Sequence, residues 1–226
     1  GGTHYVWSRG EELITDRFPE FAALSKALPK GTVLDGEILA WRDEVPLPFN
    51  VLQTRIGRKT VSKAVISKAP VILYAYDLLE WKGKDVRNRP FEERRKLLEN
   101  LCATQSKALP LRLSERLSFD TWGELGELHS VARNHHAEGL MIKNRQSPYG
   151  VGRKKGAWWK WKLDPLTIDA VMIYAQAGHG RRANLYTDFT FAVWQGNDLV
   201  PFAKAYAGLS DAEFKDITAW VRKNTL

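Results

Sequence analysis

The stretch Trp158-Trp159-Lys160-Trp161-Lys162 sets two lysines one residue apart among three tryptophans. In an extended strand alternate side chains share a face. Lys160 and Lys162 then point the same way as Trp158, roughly 7 Å apart along the strand. Two ammoniums at that separation suit the phosphates of a nucleotide. Trp159, Trp161 and Leu163 point the other way, and the pattern predicts that this second face packs into a core. A half-exposed strand with solvated lysines would show the same spacing.

Matching acids lie upstream. In Val33-Leu34-Asp35-Gly36-Glu37 the two carboxylates fall on one strand face, with Gly36 between them allowing close backbone approach. Paired carboxylates on a buried strand are costly unless a metal or a polar ligand uses them; as a bare tripeptide, Asp-Gly-Glu also fits a turn. Glu138 leads into a strand-like segment that ends at Lys143. Regular alternation puts these two on opposite faces. For both to serve one site, one of them must sit at the strand's end or beside a bulge. Tyr76 stands next to Asp77 in an apolar run, where its ring can stack on a base or simply fill a core.

These side chains need elements to hold them. Pro19 opens a short helix carrying Phe21, Leu24 and Leu28 at helical spacing. Val33–Trp41 reads as a strand, and Pro46 and Pro48 break the segment after it. Val71–Leu79 is a near-continuous apolar run, the pattern of a buried strand. A helix begins at Pro90, with Glu92 and Glu93 early and Arg94, Arg95 and Lys96 later, as the helix dipole favours. A weaker helix covers Trp122 to Val131, with Gly123 and Gly126 inside it. Gly139–Ile142 and Trp158–Leu163 read as strands. Past Asp164-Pro165 come short strands at Ile168–Tyr174, Asn184–Thr187, Phe189–Trp194 and Leu199–Tyr206. Ser210-Asp211-Ala212-Glu213 then matches a capping box before a helix with Phe214, Ile217 and Val221. The domain boundary falls near 164–167, giving units 1–165 and 166–226.

Composition narrows the function class. The chain has 226 residues, 44% apolar and 27% charged, which is globular rather than disordered. No apolar run approaches the roughly 20 residues of a membrane span, and the opening residues lack the apolar core of a secretion signal. Cys102 is the single cysteine, so internal disulfides and four-thiolate zinc sites are excluded. A cytoplasmic protein is expected. The net charge of +8 suits a polyanion such as nucleic acid. His135 and His136 are adjacent and diverge in helix or strand alike, which argues against a metal site. Gly178-His179-Gly180-Arg181-Arg182 lacks the Gly-Lys-Ser/Thr of a phosphate loop and reads as a hairpin turn.

The order of the motifs says more than any one of them. Ser8-Arg9-Gly10, Asp35-Gly36-Glu37, Tyr76-Asp77-Leu78-Leu79, Glu138-Gly139-Leu140-Met141-Ile142-Lys143 and the Trp/Lys strand succeed one another along nearly the whole chain. This series resembles the ATP-dependent DNA ligases of the covalent nucleotidyltransferase superfamily. The stretches PFNVLQTRIGRK and SPYGVGRKKGAWWKWK look most like repair-type bacterial members. The closing LTIDAVMIYAQAGHGRRANLYTD looks like the start of that family's oligonucleotide-binding (OB) barrel. The resemblance implies an α+β fold: an ATP-grasp-like nucleotidyltransferase core of antiparallel sheets with helices, then a partial OB-fold β-barrel.

The same resemblance implies roles. Arg9 would contact the nucleotide ribose or the nick phosphate. Glu37 would hold the ribose or a metal-bound water, and Glu138 would help bind the divalent metal, Mg2+ or Mn2+. Tyr76 would stack on adenine, and Lys143 would line the nucleotide pocket. Lys160 and Lys162 would hold the ATP phosphates and offset charge at the reacting phosphorus, since phosphoryl-type transfer depends on positioning and charge. Gln53, Arg55, Arg58 and Lys59, with Arg153, Lys154 and Lys155, would face the backbone of nicked double-stranded DNA. A monomer is expected. Two departures stand out. The family's nucleophile is a lysine in a Lys-x-Asp-Gly motif upstream of the Arg9 block; here the only Asp-Gly is Asp35-Gly36, with Val33 where such a lysine would be, so the chain is expected to begin just after the nucleophile. The family's last basic motif is also missing. The expectation is a piece of a ligase, cut at both ends and inactive in self-adenylation. An RNA ligase or capping-type enzyme would share the core chemistry, and a non-catalytic DNA-binding module is the rival of another class.

Overall fold

A computed structural model describes residues 2–58, 60–152, 154–206 and 208–225. The chain forms two compact units, Gly1–Leu163 and Asp164–Leu226. The elements are α-helical and β-stranded in alternation, with mostly antiparallel pairing, so the α+β class expected from the sequence holds.

In the first unit, β1 (Val33–Arg42) and β3 (Val71–Trp81) pair antiparallel at the centre of a sheet. The short strands β2 (Val45–Pro46) and β4 (Lys84–Asp85) flank them. β5 (Leu111–Leu113) joins β3 in parallel, which makes this sheet mixed. The core gathers where sequence patterning places it. Phe21 and Leu24 come from the 3-10 turn Pro19–Ala23 and helix α1 (Leu24–Ala27), and meet Ala40, Val71, Ala75 and Leu78 of the sheet. Leu98 and Leu101 of α4 (Phe91–Ala103) close the other side.

Helices α2 (Phe49–Ile56) and α3 (Lys63–Lys68) occupy a region that sequence reading leaves as broken by prolines. Pro48 is the N-cap of α2, in the extended conformation that a helix entry needs, so proline starts this helix rather than preventing it. The basic run of α4 also differs from expectation. Arg94 and Arg95 do not serve the C-terminal end of the dipole; both are buried, and Arg94 shares the face of Leu98 and Leu101. Beyond α5 (Trp122–Ser130), strands β6 (Gly139–Lys143) and β7 (Trp158–Lys162) form a two-stranded antiparallel ribbon among the described residues.

The second unit carries β8 (Val171–Ala177), β9 (Tyr186–Gln195) and β10 (Asp198–Ala205) in one antiparallel sheet. The stretches 184–187 and 189–194 merge into the single strand β9. A 3-10 turn, Gly180–Arg182, joins β8 to β9, where a hairpin turn is expected. Helix α6 (Asp211–Asn224) starts in the anticipated capping box: Ser210 Oγ accepts from Glu213 N–H while the Glu213 carboxylate takes the Ser210 N–H. Phe214 and Val221 of α6 pack on Phe189 of β9.

Candidate active site

The site grows from an irregularity between β1 and β3. Asp35 lies opposite Asp77 and Gly36 opposite Ala75, so the register skips Tyr76. Gly36 is required there, because a Cβ would stand 2.8 Å from the Tyr74 carbonyl oxygen. Asp-Gly-Glu is thus a strand with a bulge, not a turn. The bulge separates the neighbouring side chains of β3. Asp77 is fully buried and takes two hydrogen bonds from Arg94, at 2.9 and 2.8 Å. Tyr76 turns toward β1 and donates its hydroxyl to Asp35 Oδ1 at 3.0 Å. Tyr149, from the β6–β7 connection, donates to Asp35 Oδ2 at 2.7 Å. Desolvation, then the Asp35 charge, push the Tyr76 phenol above its usual range; Tyr149 shifts the same way. Both stay protonated donors at ordinary pH.

Lys143 enters this frame from the end of β6. Its Nζ lies 3.9 Å from the Trp158 ring centroid, 4.2 Å from Tyr76 and 4.9 Å from Phe91. Trp158 in turn meets Tyr76, Phe91 and Tyr149 edge to face. Desolvation inside this aromatic box pushes Lys143 down to about 8, against the pull of the Asp77 and Asp35 charges.

The other end of the ribbon is open. Register pairs Lys143 with Trp158, Met141 with Lys160 and Gly139 with Lys162, so Lys143, Lys160 and Lys162 share one face. Glu138 precedes the strand, which resolves the parity conflict in favour of the strand-end arrangement. Gly139, at φ +141, makes that corner, and a Cβ there would lie 2.1 Å from the Trp161 carbonyl oxygen. Glu138 then reaches Lys162 at 3.0 Å. Glu37 is exposed on β1, and Arg9 lies in the exposed turn between Trp7 and Leu13. Among the described residues no three His, Cys, Asp or Glu side chains gather as a metal site, His135 and His136 included.

Two expectations fail here. The tryptophan face of β7 is not a core: Trp159 is 47% exposed and Trp161 37%, and Trp161 stacks on His129 at 4.1 Å. Trp158, on the lysine face, is the better buried indole. Arg55 does not face outward. It is fully buried over Phe18, paired with Glu20 and donating to the Arg17 and Ala69 carbonyls, because the third residue after Leu52 lies on the inner face of α2. Gln53, Arg58, Lys154 and Lys155 are exposed. Lys59 and Arg153 lie outside the described residues. Sequence reading missed Phe91, Tyr149 and the Asp35 contacts; the one signal for them was Trp158 falling on the lysine face.

Comparison with known proteins decides the family. Residues 1–162 match the family model described as ATP dependent DNA ligase domain. The chain belongs to the ATP-dependent DNA ligases. A probable DNA ligase of Koribacter versatilis is 37% identical over 241 residues, covering 98% of this chain and 42% of that protein. One of Opitutus terrae is 35% identical, covering 100% of this chain and 25% of that protein. The chain spans less than half the length of these curated ligases. Among solved structures, mycobacterial DNA ligase D complexed with ATP and MES has a TM-score of 0.55 and 26% identity, covering 97% of this chain and 65% of that one. The ligase family expected from the ordered motifs is therefore the right one.

Proposed function

We propose that this chain carries the nucleotide- and DNA-handling centre of an ATP-dependent ligase that seals nicks in duplex DNA. The observation that carries the reading is the shared face of the β6–β7 ribbon: an aromatic box at one end, and Lys160, Lys162 and Glu138 at the other. Tyr76 offers its ring to adenine. Lys160 and Lys162 take the phosphates, with Lys162 exchanging Glu138 for the ligand. Glu37 and Glu138 would hold Mg2+ or Mn2+ together with those phosphates, as a hard cation with few protein carboxylates is usually held. Arg9 reaches the ribose or the nick phosphate. Gln53, Arg58, Lys59, Arg153, Lys154 and Lys155 meet the DNA backbone; Arg55 supports helix α2 from within instead.

In the whole enzyme a lysine amine attacks the α-phosphorus of ATP and pyrophosphate leaves. AMP then passes to the 5′-phosphate of the nick, and the 3′-hydroxyl displaces AMP to form the phosphodiester. The first unit serves as the adenylation domain and the second as the beginning of an OB barrel. The setting is a cytoplasmic monomer on nicked DNA. No helix among the described residues is long and apolar enough to cross a membrane.

Radiolabelled ATP with magnesium tests the reading on this chain. Reversible binding is expected, weakened about tenfold or more by Tyr76→Ala. No covalent adduct is expected, because no lysine of this sequence stands in a Lys-x-Asp-Gly motif and the amines of Lys160 and Lys162 act as cations. Binding to nicked duplex should fall steeply as salt rises. A labelled band mapping to a lysine of this chain, or salt-independent DNA affinity, would overturn the corresponding part.

A further inference from the structure

One carboxylate joins three parts of the first unit. Asp35 sits on β1, Tyr76 on β3 and Tyr149 in the connection that leads to Lys154 and Lys155. Each Asp35 oxygen accepts one phenol hydroxyl. We propose that Asp35 is a positioning residue: it sets the pitch of the Tyr76 ring for stacking on the base and fixes the root of the basic connection beside it. This rests on reading Tyr76 as the base platform.

The argument starts at the bulge. Because the β1–β3 register skips Tyr76, the ladder alone does not dictate where its ring lies. A phenol hydroxyl donated to a carboxylate is a charge-assisted hydrogen bond, stronger and more directional than a neutral one. It fixes the far end of the ring while the backbone fixes the near end. The same carboxylate takes Tyr149, so the platform and the connection share one anchor. The geometry separates Asp35 from Glu37. Asp35 spends one oxygen on each tyrosine inside the sheet, whereas Glu37, two residues along, is exposed toward solvent. Asp35 therefore shapes the pocket, and Glu37 is the acid left to meet a ligand.

A double-mutant cycle on this chain tests the proposal, reading ATP affinity by tryptophan fluorescence with thermal melts alongside. Asp35→Ala should weaken ATP binding about tenfold, the size of one charge-assisted hydrogen bond, and Tyr76→Phe should cost a similar factor. The double variant should be weaker than Tyr76→Phe alone by far less than tenfold, because toward the base Asp35 acts through that hydroxyl and its remaining tie, to Tyr149, holds the connection. If Asp35→Ala costs tenfold again in the Tyr76→Phe background, Asp35 touches the ligand itself and the proposal fails. If Asp35→Ala lowers the melting temperature yet binds ATP like the parent, its role is only structural and the proposal fails. Asp35→Asn, which keeps one acceptor, should give an intermediate loss and serves if the alanine variant does not fold. Absence of ATP binding by the parent chain would sink the base-platform reading. The ring-fixing claim is then read from near-ultraviolet ellipticity of the Tyr76–Trp158 pair: a change on Asp35→Ala that vanishes with Tyr76→Phe supports it, and no change overturns it.

Discussion

The two ends of the β6–β7 ribbon are built on opposite terms. At the Lys143 end, three rings surround the ammonium, and the connection behind it is tied to the core: Phe91 N–H donates to Ser147, Glu92 N–H to Arg145, Tyr149 N–H to Arg87, and Arg94 to Ser147. At the Lys162 end, a single ion pair stands in solvent, with side-chain exposures of 61% for Lys162 and 85% for Glu138. A base is flat and uncharged, and a rigid apolar slot recognises it with little ordering cost. Phosphates and a metal bring charge and their own geometry, so lysines that stay hydrated until the ligand arrives avoid the penalty of buried unpaired charge. Changes near the box should therefore cost stability as well as base binding, and changes at the lysine end affinity alone.

The sharpest way to break that contrast lies beneath the box. Asp77→Ala leaves the buried Arg94 charge without its carboxylate, which should cost about 3–5 kcal/mol. Calorimetry should show the midpoint falling by about 10 °C. A fall of under about 2 °C would mean the box does not depend on this pair.

The next effect depends on pH. Lys143 sits at about 8 in the fold, against an ordinary 10.5. Between these values the unfolded chain holds the proton that the folded one has shed, so stability rises with pH across that window. Lys143→Met removes this titration. Parent minus variant should thus gain on the order of 1–3 kcal/mol between about pH 8 and 10.5 in urea melts, and a flat difference would place the ammonium in water.

On the outer face, Trp161→Ala should cost only about 1–2 kcal/mol, well short of a core tryptophan, since the indole is 37% exposed and its main partner is His129. Lys162→Ala completes the series. Its exposed ion pair makes a stability change within about 1 kcal/mol the expectation, while ATP affinity drops about tenfold or more. Intact ATP affinity would remove Lys162 from the phosphate site.

Much of this was legible in residue order. β1, β3 and α4 come from apolar runs and from Pro90, and the α6 start comes from Ser210 and Glu213. Lys160 and Lys162 share a face by period-two alternation, and Glu138 takes the strand-end position that alternation leaves open; that Lys143 joins the same face comes only from the β6–β7 register. The failures share one cause. Charge alone points Arg55 and Arg94 to solvent or the dipole, but helical position next to Leu52 and Leu98 turns both inward, where Glu20 and Asp77 make burial tolerable. Conversely, apolar type alone places Trp159 and Trp161 in a core, yet a two-stranded ribbon has too few neighbours to cover them. Contacts between distant segments, such as Asp35 with Tyr149, leave no local periodic trace at all.

The ties at residues 145–149 also bear on how the ribbon breathes. Two strands alone are only marginally stable in water. The amides of Leu140 and Ile142 are therefore shielded from solvent exchange chiefly by the docking of the connection onto the start of α4. Opening should be a single event: once Arg145 and Ser147 release the first N–H groups of α4, hydrogen exchange at both strands and at Phe91 and Glu92 proceeds at one common rate. A nucleotide wedged against Trp158 would slow all of these amides together, although it touches few of them.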